Sequence, residues 1–254
     1  MKNKTLFISG GTRGIGKAIV YAFAKRGCNV AFTYASSVDT ANEMIADLKE
    51  KYGVKSSAYK LDILEPLTYK DVFKEFDEDF DSLDYFISNA IISGRAVVGG
   101  FAPFMRLKPK GLTNIYTATV SAFVVGAQEA TKRMGEKGGS IISMSSTGNL
   151  VYTPNYSGHG TNKAAVETMV KYAAAELGEK NIRVNAVSGG PIDTDALKAF
   201  PNYEYVKGEV VKRSPLSRMG DATDLTGACL FLCGEESSWL TGQTIVIDGG
   251  TSFQ

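Results

Sequence analysis

The N-terminal stretch leaves this chain few folds to choose from. Thr5-Leu-Phe-Ile-Ser9 is a short apolar run. Gly10-Gly-Thr-Arg-Gly-Ile-Gly16 follows at once, then Lys17-Ala-Ile-Val-Tyr-Ala-Phe-Ala-Lys-Arg26, apolar at helical spacing, with Gly27 as its stop. Asn29-Val-Ala-Phe-Thr-Tyr34 reads as a second strand. Strand, glycine turn, helix, strand is a βαβ unit, whose strands lie parallel because a helix must cross between them. The alternation continues. Helical spacing covers Val38–Lys51, Leu67–Phe80 and Leu112–Met134, and apolar runs cover Lys55–Leu61, Leu83–Ser88, Gly139–Met144, Ile182–Val187 and Thr244–Asp248. Ile91–Lys110, with Phe101 and Phe104, is too irregular to assign. The pattern predicts an α/β fold over residues 1–254, one domain, with seven parallel strands in a doubly wound sheet and helices on both faces.

Composition narrows the partners. At 254 residues with 44% apolar and 22% charged residues, the chain can bury one full core. A net charge of +1 and no basic run give no electrostatic case for nucleic acid or for an anionic membrane. Cys28, Cys229 and Cys233 make no disulfide framework, and the last two, one helical turn apart, read as core packing. No secretory pattern or membrane-length apolar span is visible, so a cytoplasmic location is expected. No metal ligand set is assigned.

The glycine turn carries the first chemistry. Backbone N–H groups at a helix start, unobstructed by Cβ atoms, cradle a pyrophosphate where the helix dipole favours anions. Gly10, Gly14 and Gly16, with Thr12, Arg13 and Ile15 between them, follow Gly-x-x-x-Gly-x-Gly, a relative of the dinucleotide fingerprint. At this turn the chain resembles the short-chain dehydrogenase/reductase family, and a Rossmann-like fold is implied. An NAD site wants an acid at the end of the second strand, to bind the ribose hydroxyls. Here Ser36 and Ser37 stand there, the first acid being Asp39, and Arg13 lies in the turn as a partner for a 2′-phosphate. NADPH is the expected cofactor. The resemblance extends the cofactor set to Asp62, Ile63, Asn89 and Ala90, although Asn89 could equally serve only to tie strand ends together.

Tyr156 and Lys163 carry the second. Seven residues is close to two helical turns, so in a helix the phenol and the ammonium share a face, and the cation favours the phenolate. The commonest short-chain reductases have Ser, then Tyr thirteen positions on, then Lys four later. Ser146 and Lys163 keep that frame, but His159, the only His, takes the Tyr position. Tyr156-x6-Lys163 instead is similar to the enoyl-acyl-carrier-protein reductases. There is a reason to displace the phenol. Hydride added to the β carbon of an enoyl thioester leaves charge on an oxygen further out than a ketone's, and three helical residues shift a Cα by about 4.5 Å. Asn185-Ala-Val-Ser-Gly-Gly-Pro-Ile-Asp-Thr-Asp-Ala-Leu-Lys198 resembles the enoyl reductase III group (FabL type) in particular, which uses NADPH.

That resemblance implies Tyr156 as donor to the enolate oxygen and Lys163 on the nicotinamide ribose. It also implies Gly190, Ile192 and Thr194 at the carboxamide side, and Phe200, Tyr203 and Ser146 toward substrate, although Ser146 could merely end its strand. Residues 195–213 form a lid in this reading, although its aromatics, Tyr205 included, could equally be subunit contacts. It implies a trans-2-enoyl substrate on acyl carrier protein or CoA, in fatty acid synthesis, and a homotetramer built on Leu112–Met134 and Gly160–Leu177. Thr119 stands where most relatives carry an Asn that holds a relay water. His159 reads as a bystander. Two rivals remain: a 3-oxoacyl or other carbonyl reductase, and a non-catalytic NADP(H) sensor.

Overall fold

The computed structural model describes residues 1–92, 99–198 and 203–253. Seven strands form one sheet: β1 (Thr5–Ile8), β2 (Asn29–Tyr34), β3 (Ser56–Lys60), β4 (Tyr85–Ser88), β5 (Gly139–Ser146), β6 (Ile182–Gly189) and β7 (Thr244–Ile247). Their order is β3-β2-β1-β4-β5-β6-β7, and every adjacent pair is parallel. The chain winds outward from β1 to β3, then returns to lay β4 against β1 and winds the other way. A crevice therefore opens beyond the carboxyl ends of β1 and β4, the place where open α/β sheets bind ligands.

The strands are apolar on both faces, as a sheet covered on both sides requires. Leu6 and Ile8 face a core built with Ile19, Val20 and Phe23 of α1 (Gly14–Ala24) and Ala41, Met44 and Leu48 of α2 (Val38–Tyr52). Phe7, between them, faces the opposite core, against α3 (Tyr69–Asp79), with Phe73 stacked on it at 4.4 Å. On that side α4 (Pro109–Tyr116), α5 (Ala122–Met134) and α6 (Ser157–Leu177) complete the layer. Next, α7 (Asp195–Lys198) and α8 (Tyr203–Arg213) follow β6, and α9 (Thr226–Cys233) returns to the first face. Cys28, Cys229 and Cys233 are free and buried, and burial pushes the Cys28 and Cys229 thiols up to about 12. Cys229 and Cys233 are packing groups, as read, and Cys28 packs in the same core.

Two boundaries differ from the pattern in ways that matter. β5 and β6 run two residues further than their apolar runs, because Ser145 still pairs with Ser188 and Ser146 with Gly189. The stretch from Pro109 to Met134 is helical throughout, but Thr117–Ser121 is a π-helical turn joining α4 to α5, with Thr119 at its centre. Such turns are frequent at functional sites.

Arg133 fastens α5 to α3. It grips Asp77 with two hydrogen bonds (2.8 and 2.6 Å), bonds Glu129 at 2.9 Å and lies 4.8 Å over the Phe73 ring. Burial works against the Glu129 charge, but Lys132 and Arg133 outweigh it and hold the carboxyl below its usual range. Its contribution to stability is thus present at neutral pH and lost as pH falls through that lowered value. Arg133→Ala should lower the unfolding free energy by about 1–3 kcal/mol in urea titration. Arg133→Lys should recover only part, since an ammonium cannot make the two-pronged grip.

Candidate active site

The crevice is built around Gly10. Its φ of +72° is the left-handed region that glycine adopts freely. Its N–H donates to Thr33 Oγ1 at 3.0 Å, and Asn89 Nδ2 donates to Gly10 O at 2.9 Å and to Ser9 O at 3.0 Å. Asn89 thus does tie the ends of β1 and β4, one of the two roles open to it. α1 starts at Gly14, three residues before the periodicity does, so the glycine turn runs directly into the first helical turn. A Cβ on Gly16 would fall 1.9 Å from Gly10 O, so no larger residue fits there. No side chain caps this helix start and no acid lies in its first turn, which leaves N–H donors and the positive dipole end for an anion. These features fit a bound dinucleotide.

The remaining cofactor candidates frame that turn. Thr12 is buried beneath it, Ile15 is half-buried, and Arg13 is exposed with no ion pair among the described residues. Ser36 and Ser37 are exposed beyond β2, and the Ser37 hydroxyl does not cap α2. Asp62 is exposed and accepts from the Leu64 N–H at 2.9 Å, and Ile63 beside it is buried. The Ala90 N–H donates to Ser9 Oγ at 3.1 Å. Gly190 and Ile192 leave β6, and the Thr194 methyl lies 3.7 Å from where a Gly14 Cβ would be. The glycine turn and the segment after β6 therefore flank one crevice.

Tyr156 is the N-cap of α6, with φ −96° and ψ 0°, and its carbonyl accepts from the Gly160 N–H at 2.7 Å, so the helix runs on from it through Lys163. Asn155 before it has φ +63°, a left-handed bend after Pro154, so no helix can start earlier. The phenol ring lies over Gly148, where a Cβ would come within 2.5 Å of it. Burial pushes the hydroxyl above its usual value, eased by a hydrogen bond from Ser146. The expected acidification by Lys163 is absent. Ser146 also accepts from the Gly148 N–H at 3.2 Å, so its hydroxyl is held at the strand end, facing the phenol.

Lys163 is buried nearly two turns into α6, and its Nζ donates to Met144 O at 2.6 Å. Burial pushes it down to about 8, with Glu167 opposing. Between the phenol and this ammonium sits His159, which is 8% exposed. Its ring stacks on Tyr156 (centroids 5.4 Å apart, planes at 28°) and packs at 5.1 Å against Phe101, which meets Tyr156 edge-on at 5.6 Å. Burial, and then Lys163, push the imidazole down to about 4, so at neutral pH it is uncharged. His159 is thus a buried, uncharged wall beside Tyr156. Its type gave no sign of these contacts in the sequence, although its spacing of four from Lys163 puts both on one helix face.

On the substrate side, the Tyr203 hydroxyl donates to Asp193 Oδ1 at 2.9 Å, pinning the start of α8 to the loop after β6. Phe200 lies outside the described residues, and within the expected lid 195–213 only α7 and α8 are described as helices.

Residues 10–252 match the family model described as enoyl-(acyl carrier protein) reductase. The chain belongs to that family, a branch of the short-chain dehydrogenases/reductases. The reductase is 35% identical to a 1-cyclohexenylcarbonyl-CoA reductase of Streptomyces collinus, over 99% of this chain and 88% of that one. It is also 31% identical to the 3-oxoacyl-[acyl-carrier-protein] reductase FabG of Staphylococcus epidermidis, over 98% of both chains. A solved short-chain dehydrogenase/reductase from Serratia marcescens superposes with a TM-score of 0.89 at 29% identity, covering 99% of this chain and 98% of that one. The protein is thus an oxidoreductase of the nicotinamide-cofactor class. Among the described residues, no helix is long and apolar enough to cross a membrane.

Proposed function

We propose that this reductase uses NADPH to reduce the 2,3 double bond of trans-2-enoyl thioesters. The observation that carries the reading is the phenol's place. Tyr156 caps α6 with the Ser146 hydroxyl beside it, while the position one turn before Lys163 is filled by a neutral imidazole that stacks on it. When bound, the cofactor supplies the hydride. Charge then develops on the thioester oxygen, and Tyr156, kept protonated by its buried setting, donates to it as acid and hydrogen-bond donor. Ser146 orients the phenol. Lys163 binds the nicotinamide ribose, and Asn89, Ala90, Gly190, Ile192 and Thr194 line the same crevice. The choice of NADPH rests on Arg13, exposed and without an ion pair among the described residues, and on the absence of a carboxylate at Ser36 and Ser37.

The second reading, a 3-oxoacyl reductase, is favoured by the likeness to the staphylococcal enzyme. Both relatives act on acyl thioesters by name, so an acyl chain on acyl carrier protein or CoA is the substrate class proposed. Exposed Tyr116 on α4 and Met169 and Tyr172 on α6 support a homotetramer, and a cytoplasmic setting suits such an enzyme. The deciding assay follows NADPH and NADH absorbance with crotonyl and acetoacetyl thioesters on both carriers. Oxidation of NADPH with crotonyl, and little with acetoacetyl, is expected. Turnover of acetoacetyl alone sinks the enoyl reading. Binding of NADPH without turnover of either would leave a sensor.

A further inference from the structure

The residue after Met144 makes a second bond to α6 that the proposed reaction leaves unused. Met144 O accepts from Lys163 Nζ, and the Ser145 hydroxyl donates to Glu167 Oε1. Two consecutive residues of β5 are thereby bolted to two residues one turn apart on α6. We propose that Glu167, fixed by Ser145, is the counter-charge that keeps Lys163 cationic, and hence a positioning residue for cofactor binding. The proposal rests on the reading of Lys163 as the ribose-binding ammonium.

Helix stability does not explain the pair. With Lys at i and Glu at i+4 the charges run in the less favourable sense along a helix. The setting explains it better, because a buried ammonium bonded to a neutral carbonyl is driven to shed its proton unless an opposite charge stands near. The elements packed against this part of α6 supply no other carboxylate. β5, the 147–149 turn and the π-helical turn contain no ionisable residue. The charge on β6 is Arg183, near the strand's start and bonded to the Leu240 and Gly234 carbonyls, and α4 offers Lys110 and Tyr116, both exposed. On α6 itself, His159 is uncharged at neutral pH, and Tyr156 before it is a protonated phenol. Glu167 is the group that opposes the effect of burial on Lys163. Ser188, paired with Ser145 in the sheet, adds a fully buried hydroxyl on the same face with no hydrogen-bond partner among the described residues, so this patch under α6 is polar by construction.

The test is NADPH binding by the whole protein, without substrate, read by nucleotide fluorescence from pH 6 to 10. Wild type should lose affinity on the alkaline side with a midpoint near pH 8, the value to which Lys163 is pushed. Glu167→Gln should move that midpoint down by about one pH unit, the curves converging at low pH. Glu167→Asp should restore part of the shift, and Ser145→Ala should move it the same way by less. A Glu167→Gln midpoint equal to wild type overturns the proposal, even if affinity falls uniformly. Should that variant not fold, Ser145→Ala decides by the same criterion. A wild type with no alkaline loss at all removes the assigned role of Lys163, and takes the proposal with it.

Discussion

Tyr156→Phe should lower kcat for enoyl thioester reduction by about 10²–10⁴-fold while leaving NADPH affinity at the wild-type value. The size follows from what the hydroxyl does in the proposed reaction: it is the proton donor to an oxygen that carries charge only after hydride transfer. An interaction made only in the transition state is lost from kcat and not from ground-state binding. The ring, by contrast, is structural. It covers Gly148, stacks with His159 and meets Phe101 edge-on, and phenylalanine keeps all three contacts. The variant should therefore fold as wild type does, which a thermal melt checks. The crevice that fits the nucleotide, from Gly10 to Gly16, holds no atom of Tyr156, so fluorescence titration should give the same cofactor affinity. A loss of less than about tenfold would mean the proton comes from another donor. A parallel loss of NADPH binding would mean the phenol belongs to the cofactor site instead.

The same residue marks how far the sequence could be read. The βαβ start, the seven strands and their parallel order follow from apolar runs alternating with helical spacing, because a sheet buried on both faces writes its pattern into every strand. The glycine turn was equally legible: Gly10 needs a positive φ and Gly16 a close backbone approach, and both are properties of glycine alone. The contacts of the phenol were not. Counting seven residues gives the two turns from Tyr156 to Lys163, but not that the ring lies over Gly148 and stacks on His159. Nor does a pattern of apolar residues show that β5 carries its pairing through Ser145 and Ser146, although both hydroxyls act there. The π-helical turn at Thr117–Ser121 has no signature in a sequence that reads as ordinary helix throughout. What escaped reading was the placement of polar groups by tertiary packing.

His159 should make this protein acid-labile in a way that its replacement cures. In the unfolded chain an imidazole binds a proton below its usual value of 6.5, whereas the folded protein holds it uncharged down to about 4, first through burial and then through Lys163. Between those values the unfolded state carries a proton that the folded state refuses, so stability falls as pH falls. Integrated over the window, the loss is about 3 kcal/mol, roughly a hundredfold in the folding equilibrium. Lys163 does not interfere, because it is protonated in both states throughout this range; its own lowered value acts only above pH 8. Paired carboxylates such as Glu129 also titrate in acid, but they do so in any His159 variant and cancel in the difference. His159→Phe keeps a ring against Tyr156 and Phe101 and removes the titration. Urea unfolding of both proteins at several pH values from 7 to 4 should therefore show curves that diverge, with the variant gaining about 3 kcal/mol over wild type by pH 4. Parallel curves would mean that His159 takes its proton readily in the folded protein. The aromatic wall beside Tyr156 would then open to water, and the phenol would lose the burial that keeps it a neutral donor.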